Sequence, residues 1–165
     1  MRICLVGFMG SGKTTIGRAL SDKQHMAWVD LDAYIEKKAN QCIRDIFQEF
    51  GEAYFRRLEQ EALKELLGKK DIIISTGGGV ITTPRNVAVL KEEQTIYLKY
   101  PFDTLYERIA GDSNRPLATS YEALYERFKS RLDLYEAASR VTINCQDKSI
   151  NQITEEIINY LKTIS

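Results

Sequence analysis

A chain of 165 residues, 44% of them hydrophobic, carries enough apolar mass for one packed core, and a single domain over 1–165 is expected. Lysine plus arginine balances aspartate plus glutamate at 23 each, which excludes a global attraction to nucleic acid or to an anionic membrane. The cysteines Cys4, Cys42 and Cys145 are odd in number and widely spaced, so neither a disulfide framework nor a zinc site is expected. With no signal-peptide h-region or long apolar span in the sequence, the expected setting is the cytoplasm.

Ile3 to Val6 reads as a short buried strand, followed by a glycine-rich turn and helical spacing over Thr14 to Leu20. Trp28 to Leu31 is the second strand, and helical spacing follows over Ala33 to Lys38, Ile43 to Phe50 and Glu52 to Leu67. Ile72 to Ser75 is the third strand, with a helix over Arg85 to Leu90; Thr95 to Leu98 is the fourth, with a helix over Phe102 to Ala110. A long helix over Tyr121 to Leu134, a fifth strand over Val141 to Asn144 and a last helix over Ile150 to Leu161 complete the chain. His25 is expected to mark the end of the first helix, and Asn40 to occupy a turn that uses left-handed backbone geometry. Strand-helix alternation with continuously apolar strands implies an α/β fold: a parallel sheet covered by helices on both faces. In such sheets ligands gather at the carboxyl ends of the strands, and the polar motifs of this chain follow its strands.

The first motif is Gly7-Phe8-Met9-Gly10-Ser11-Gly12-Lys13-Thr14, which satisfies G-x-x-x-x-G-K-[ST] between a strand and a helix. Its glycines let backbone N–H groups surround phosphate oxygens, Lys13 reaches the β and γ phosphates, and the Thr14 hydroxyl is a magnesium ligand. The second motif is Asp30-Leu31-Asp32. On an extended chain its carboxylates project to one side, one toward magnesium and one toward a hydroxyl nucleophile; the competing reading is an N-cap for the next helix. The third is Ser75-Thr76-Gly77-Gly78-Gly79, where consecutive glycines let a substrate approach the backbone. Arg56, Arg115 and Arg131 are candidate anion clamps, since a guanidinium matches carboxylate or phosphoryl oxygens in pairs.

Taken together, GFMGSGKTT, DLD, IRDIFQEFGEAYFRRLE, STGGG, RPL and SRLDLY resemble the shikimate kinase family in order and spacing along nearly the whole chain. The resemblance implies a three-layer α/β/α fold with a five-stranded parallel sheet and a mobile lid, here about residues 111–120. It implies transfer of a phosphoryl group from ATP to shikimate with Mg2+ present. A monomer is the default expectation, and charge and composition call for no nucleic-acid or membrane partner. It places ATP on Gly10, Ser11, Gly12, Lys13, Thr14 and Thr15, with Arg108 against the adenine and Arg115 swinging in with the lid to the γ-phosphate. Magnesium falls to Thr14 and Asp30. Shikimate falls to Asp32 as candidate base, Arg56 and Arg131 as carboxylate clamp, Glu59 fixing Arg56, Gly78 and Gly79 through their backbone, and Phe47 and Phe55 as walls.

Two other classes share the phosphate loop. A kinase of gluconate or of a nucleoside monophosphate would use the same loop and differ on the acceptor side. A nucleotide-binding switch that recognises guanine would need Asn-Lys-x-Asp, and the nearest string, Asn144-Cys145-Gln146-Asp147, lacks the lysine.

Overall fold

The computed structural model describes residues 1–111 and 120–164. Five strands form one sheet: β1 (Arg2–Val6), β2 (Ala27–Asp30), β3 (Ile72–Ser75), β4 (Gln94–Lys99) and β5 (Val141–Asn144). All pairings are parallel and the order is β2-β3-β1-β4-β5. Parallel neighbours need crossovers, and among the described residues eight helices supply them: α1 (Lys13–Gln24), α2 (Leu31–Ala39), α3 (Ile43–Phe50), α4 (Glu52–Leu66), α5 (Pro84–Lys91), α6 (Phe102–Ala110), α7 (Tyr121–Ala138) and α8 (Ile150–Thr163). The result is the expected three-layer α/β/α arrangement of P-loop kinases, with α1 packed on α8 and α5 packed on α7 and α4.

Hydrophobic burial explains why these segments fold this way. The central strands β1 and β3 are buried along almost their whole length, as a sheet covered on both faces requires. The helices turn apolar residues into the core around that sheet: Ile16 and Leu20 from α1, Leu63 and Leu66 from α4, and Ile153, Ile157 and Leu161 from α8. Local signals set several ends. Ser149 and Gln152 form a reciprocal capping box at the start of α8. His25 (φ 54°) closes α1 and Asn40 (φ 53°) closes α2, both in the left-handed region, as expected from the sequence.

This order places the site. The chain passes from β1 to β2 and back to β3 on one side of β1, then to β4 on the other, so the reversal falls at the end of β1. The glycine loop emerges at that end, and the segments after β2 and β3 emerge beside it, because Leu5 pairs with Ser75 and Ser75 with Asp30.

Three details depart from the sequence expectations. The second strand ends at Asp30, with Leu31 already helical; a single 3-10 turn, Val80–Thr82, follows the triple glycine; and α7 runs one turn further, to Ala138. Cys4 and Cys145 are buried, and burial pushes their thiols up to about 12 and about 11, while Cys42 is exposed at the start of α3. The proposed lid falls almost wholly in 112–119, and Arg115 with it, outside the described residues.

Candidate active site

The phosphate loop has the geometry its sequence demands. Gly10 (φ 84°) and Gly12 (φ 82°) take left-handed conformations that bring the chain round to Lys13, the first residue of α1. Gly12 caps that helix with no side chain, so the first N–H groups of α1 are left to face a ligand. Lys13 folds back over the loop and donates from Nζ to the carbonyls of Gly7 (2.7 Å) and Phe8 (3.1 Å). Its own carbonyl accepts from Ser75 Oγ at 2.7 Å, which ties the loop to the end of β3. Ser11 is 1% exposed and lies behind the loop, whereas Gly10, Gly12, Lys13, Thr14 and Thr15 line a cleft of about 780 Å³.

Beside the loop, Thr14 Oγ1 donates to Asp30 Oδ2 at 2.9 Å, while Asp30 Oδ1 accepts from the Ala33 N–H at 3.0 Å. Asp30 is therefore both the N-cap of α2 and the carboxylate facing the phosphate loop, so the two readings of the sequence coexist in one side chain. The expected pair on an extended chain is not present. Asp32 stands in the first turn of α2, because the cap at Asp30 has already started the helix.

Hard oxygen donors side by side at the mouth of a phosphate loop suit magnesium, which takes one or two protein oxygens and completes its shell with phosphate oxygens and water. The Thr14 and Asp30 pair fits that requirement.

Asp32 reaches the same cleft and makes no hydrogen bond to any described residue. Burial, and then the nearby Asp30 charge, raise its pKa from the ordinary carboxylate value, against the opposing pull of Lys13. Opposite stands the triple glycine. A Cβ on Gly77 would lie 2.7 Å from Asp32 Oδ1, and one on Gly79 would lie 2.4 Å from Arg56 Nη2. Those contacts bring the second motif, the third motif and Arg56 into one place.

Arg56 Nη1 donates to Glu59 Oε1 at 2.9 Å, one turn along α4, as expected from the sequence. Its Nε lies 3.5 Å from Glu52 Oε1, and both Arg56 Nε and Glu59 Oε2 are buried without a hydrogen-bond partner. Phe47 and Phe55, ring centroids 4.9 Å apart, form a wall of the cleft. Arg131, from α7, lines the opposite side, and burial lowers its pKa from the ordinary guanidinium value. Arg108 also lines the cleft, donating to the Gly10 carbonyl at 3.1 Å with its guanidinium 4.2 Å from the Tyr100 ring centroid. Two residues escaped the sequence reading. Arg127, one turn before Arg131, also lines the cleft, and Tyr135, one turn after it, donates to the Gly78 carbonyl at 2.6 Å.

Glu59 makes a prediction about pH. Burial pushes its carboxyl up from 4.5 to about 7 even with Arg56 beside it. The folded state then holds a proton that the unfolded state releases over that window, so this group's contribution to stability falls as pH rises from 4.5 to about 7 and is flat above. Asp32 acts in the same sense. Thermal melts of the Glu59→Gln variant should therefore show a shallower decline in Tm between about pH 5 and pH 7 than the parent protein. A variant keeping the full slope would assign it to other groups.

The fold and this cleft define a P-loop kinase. A family model described as "Shikimate kinase" matches residues 9–162, and the chain belongs to the shikimate kinase family. It is 41% identical over 162 residues to the shikimate kinase of Persephonella marina, covering 97% of this chain and 98% of that one. It is 42% identical over 166 residues to that of Dictyoglomus turgidum, covering 97% and 96%. The solved shikimate kinase of Acinetobacter baumannii in complex with shikimate superposes with a TM-score of 0.92 at 33% identity, covering 99% of this chain and 94% of that one.

Proposed function

We propose that this protein transfers the γ-phosphoryl group of ATP to the 3-hydroxyl of shikimate, giving ADP and shikimate 3-phosphate on the route to chorismate and the aromatic amino acids. The observation that carries the reading is the meeting, in one cleft with the phosphate loop, of the Asp32 carboxylate, the triple glycine and the half-buried Arg56 guanidinium. Membership of the family supports the same substrate.

ATP lies with its phosphates on Gly10 to Thr15 and its adenine toward Arg108. Thr14 and Asp30 hold magnesium, which when bound neutralises charge on the phosphate oxygens. Shikimate presents its carboxylate to Arg56 and Arg131, whose forks fit it. Glu59 holds the Arg56 fork in place, Phe47 and Phe55 enclose the apolar face of the ring, and Gly78 and Gly79 leave room for it against the backbone.

The acceptor oxygen forms a bond to γ-phosphorus as the bond to the β-bridging oxygen breaks, and the hydroxyl proton passes late to Asp32. Such a transition state asks for alignment and for positive charge on the equatorial oxygens, which Lys13 and Arg115 supply. The raised pKa of Asp32 matches its role as the acceptor of that proton. A lid over about residues 111–120 excludes water, and the protein works as a cytoplasmic monomer of one domain. No described helix is long and apolar enough to cross a membrane.

The test compares acceptors by ADP release with ATP and magnesium. Shikimate should exceed gluconate and nucleoside monophosphates in kcat/KM by about 100-fold or more, because an open-chain acid or a bulky phosphate ester can meet the arginine clamp without setting its hydroxyl at Asp32. A higher value for either competitor would reassign the acceptor side.

A further inference from the structure

Tyr135 lies in α7 one turn beyond Arg131, is 0% exposed and stacks on Tyr97 with ring centroids 5.2 Å apart. Its hydroxyl has a single proton, and that proton is donated to the Gly78 carbonyl at 2.6 Å. The oxygen lone pairs are left to accept, and the neighbour that meets them is the Arg131 guanidinium, which interacts with the phenol oxygen. Arg131 also approaches the loop itself: a Cβ on Gly78 would lie 3.8 Å from Arg131 Nη1.

The peptide unit involved matters. The carbonyl of Gly78 and the N–H of Gly79 belong to the same planar amide, so fixing one end fixes the other. That N–H donates to no described acceptor, and Gly78 and Gly79 both line the cleft. Hydrogen bonds in series strengthen one another, so a donor on the carbonyl makes the N–H of the same amide a better donor.

We propose that Tyr135 is a positioning residue for the acceptor: it joins Arg131 to the Gly78–Gly79 peptide, so that the guanidinium and the free N–H are held in one geometry for a carboxylated polyol. Tyr135 touches neither substrate. A helix placed by core packing would hold Arg131 only through its backbone; the phenol adds a contact to its side chain. The inference rests on the substrate reading above.

The Tyr135→Phe variant keeps the ring and its packing on Tyr97 and removes only the bridge. Its expected phenotype is a loss of about tenfold in kcat/KM for shikimate, carried mainly by KM, with the KM for ATP within about twofold of the parent, the order of effect of one buried hydrogen bond. Arg131→Ala alone should lose more, and adding Tyr135→Phe to it should cost less than about twofold further, since the two residues act as one unit. Equal losses for shikimate and ATP, or losses that multiply in the double variant, would overturn the proposal by showing a general structural role. An active parent enzyme with an unaffected Tyr135→Phe removes Tyr135 and leaves the substrate reading intact. A parent enzyme that does not phosphorylate shikimate defeats that reading and this inference with it.

Discussion

Asp32→Asn should lower kcat by about 100-fold or more while leaving the KM for ATP within about threefold, the range expected when a positioned proton acceptor is removed. Asparagine has nearly the volume of aspartate and preserves a hydrogen bond to the acceptor hydroxyl, so orientation is largely kept. What disappears is the capacity to receive a proton. The proposed ATP contacts lie elsewhere, at the amides that begin α1 and at Lys13. Stability should hold or rise, since Asp32 is a buried carboxylate whose charged form burial disfavours. Steady-state kinetics against both substrates, with a melting curve as control, make the measurement. Unchanged turnover would take Asp32 out of the mechanism.

Adding one methyl group to the triple glycine should be almost as damaging, and the two ends of the motif should fail differently. At Gly79 the new Cβ would fall 2.4 Å from Arg56 Nη2 and 2.8 Å from its Cζ, too close for any contact. The guanidinium must move, and in moving it leaves its bond to Glu59. Gly79→Ala should therefore raise the KM for shikimate by about 100-fold, the scale expected when one partner of a buried charged hydrogen bond is displaced. At Gly77 the methyl would meet Asp32 Oδ1 at 2.7 Å instead, so Gly77→Ala should lower kcat more than it raises KM. Neither position has positive φ, so neither loss comes from backbone strain. Kinetics in which both variants lose only stability, at unchanged KM and kcat, would contradict the assignment of these glycines to substrate room.

The parts of the site that were legible in sequence are those encoded by local backbone chemistry. A phosphate loop needs glycines at fixed offsets, a lysine and a hydroxyl, and nothing distant alters that requirement. The pairing of Glu59 with Arg56 came from the family resemblance alone, although three residues apart on a helix is a contact. Asp30 and Asp32 were legible as residues but not as geometry. Periodicity carried the strand one residue too far, and the capping bond from the Ala33 N–H, which ends the strand at Asp30, separates the two carboxylates in role and in element.

Tyr135 was invisible for a different reason. In SRLDLYEAA it falls just past the expected helix end at Leu134, and its partner, the Gly78 carbonyl, lies 57 residues away in sequence. Arg127 is likewise an ordinary exposed helix residue until α7 is laid along the cleft. The 3-10 turn at Val80–Thr82 is too short for any period to declare it, yet it turns the chain away just after Gly79. Long-range packing, not composition, decides the first two.

The central claim is that a phosphate loop and a carboxylated acceptor share this cleft. Release of ADP from ATP and magnesium, followed with and without shikimate, tests it most directly. The account predicts rapid ADP release that saturates as shikimate is added and only slow release without it. The same low rate across a millimolar titration of shikimate would contradict it.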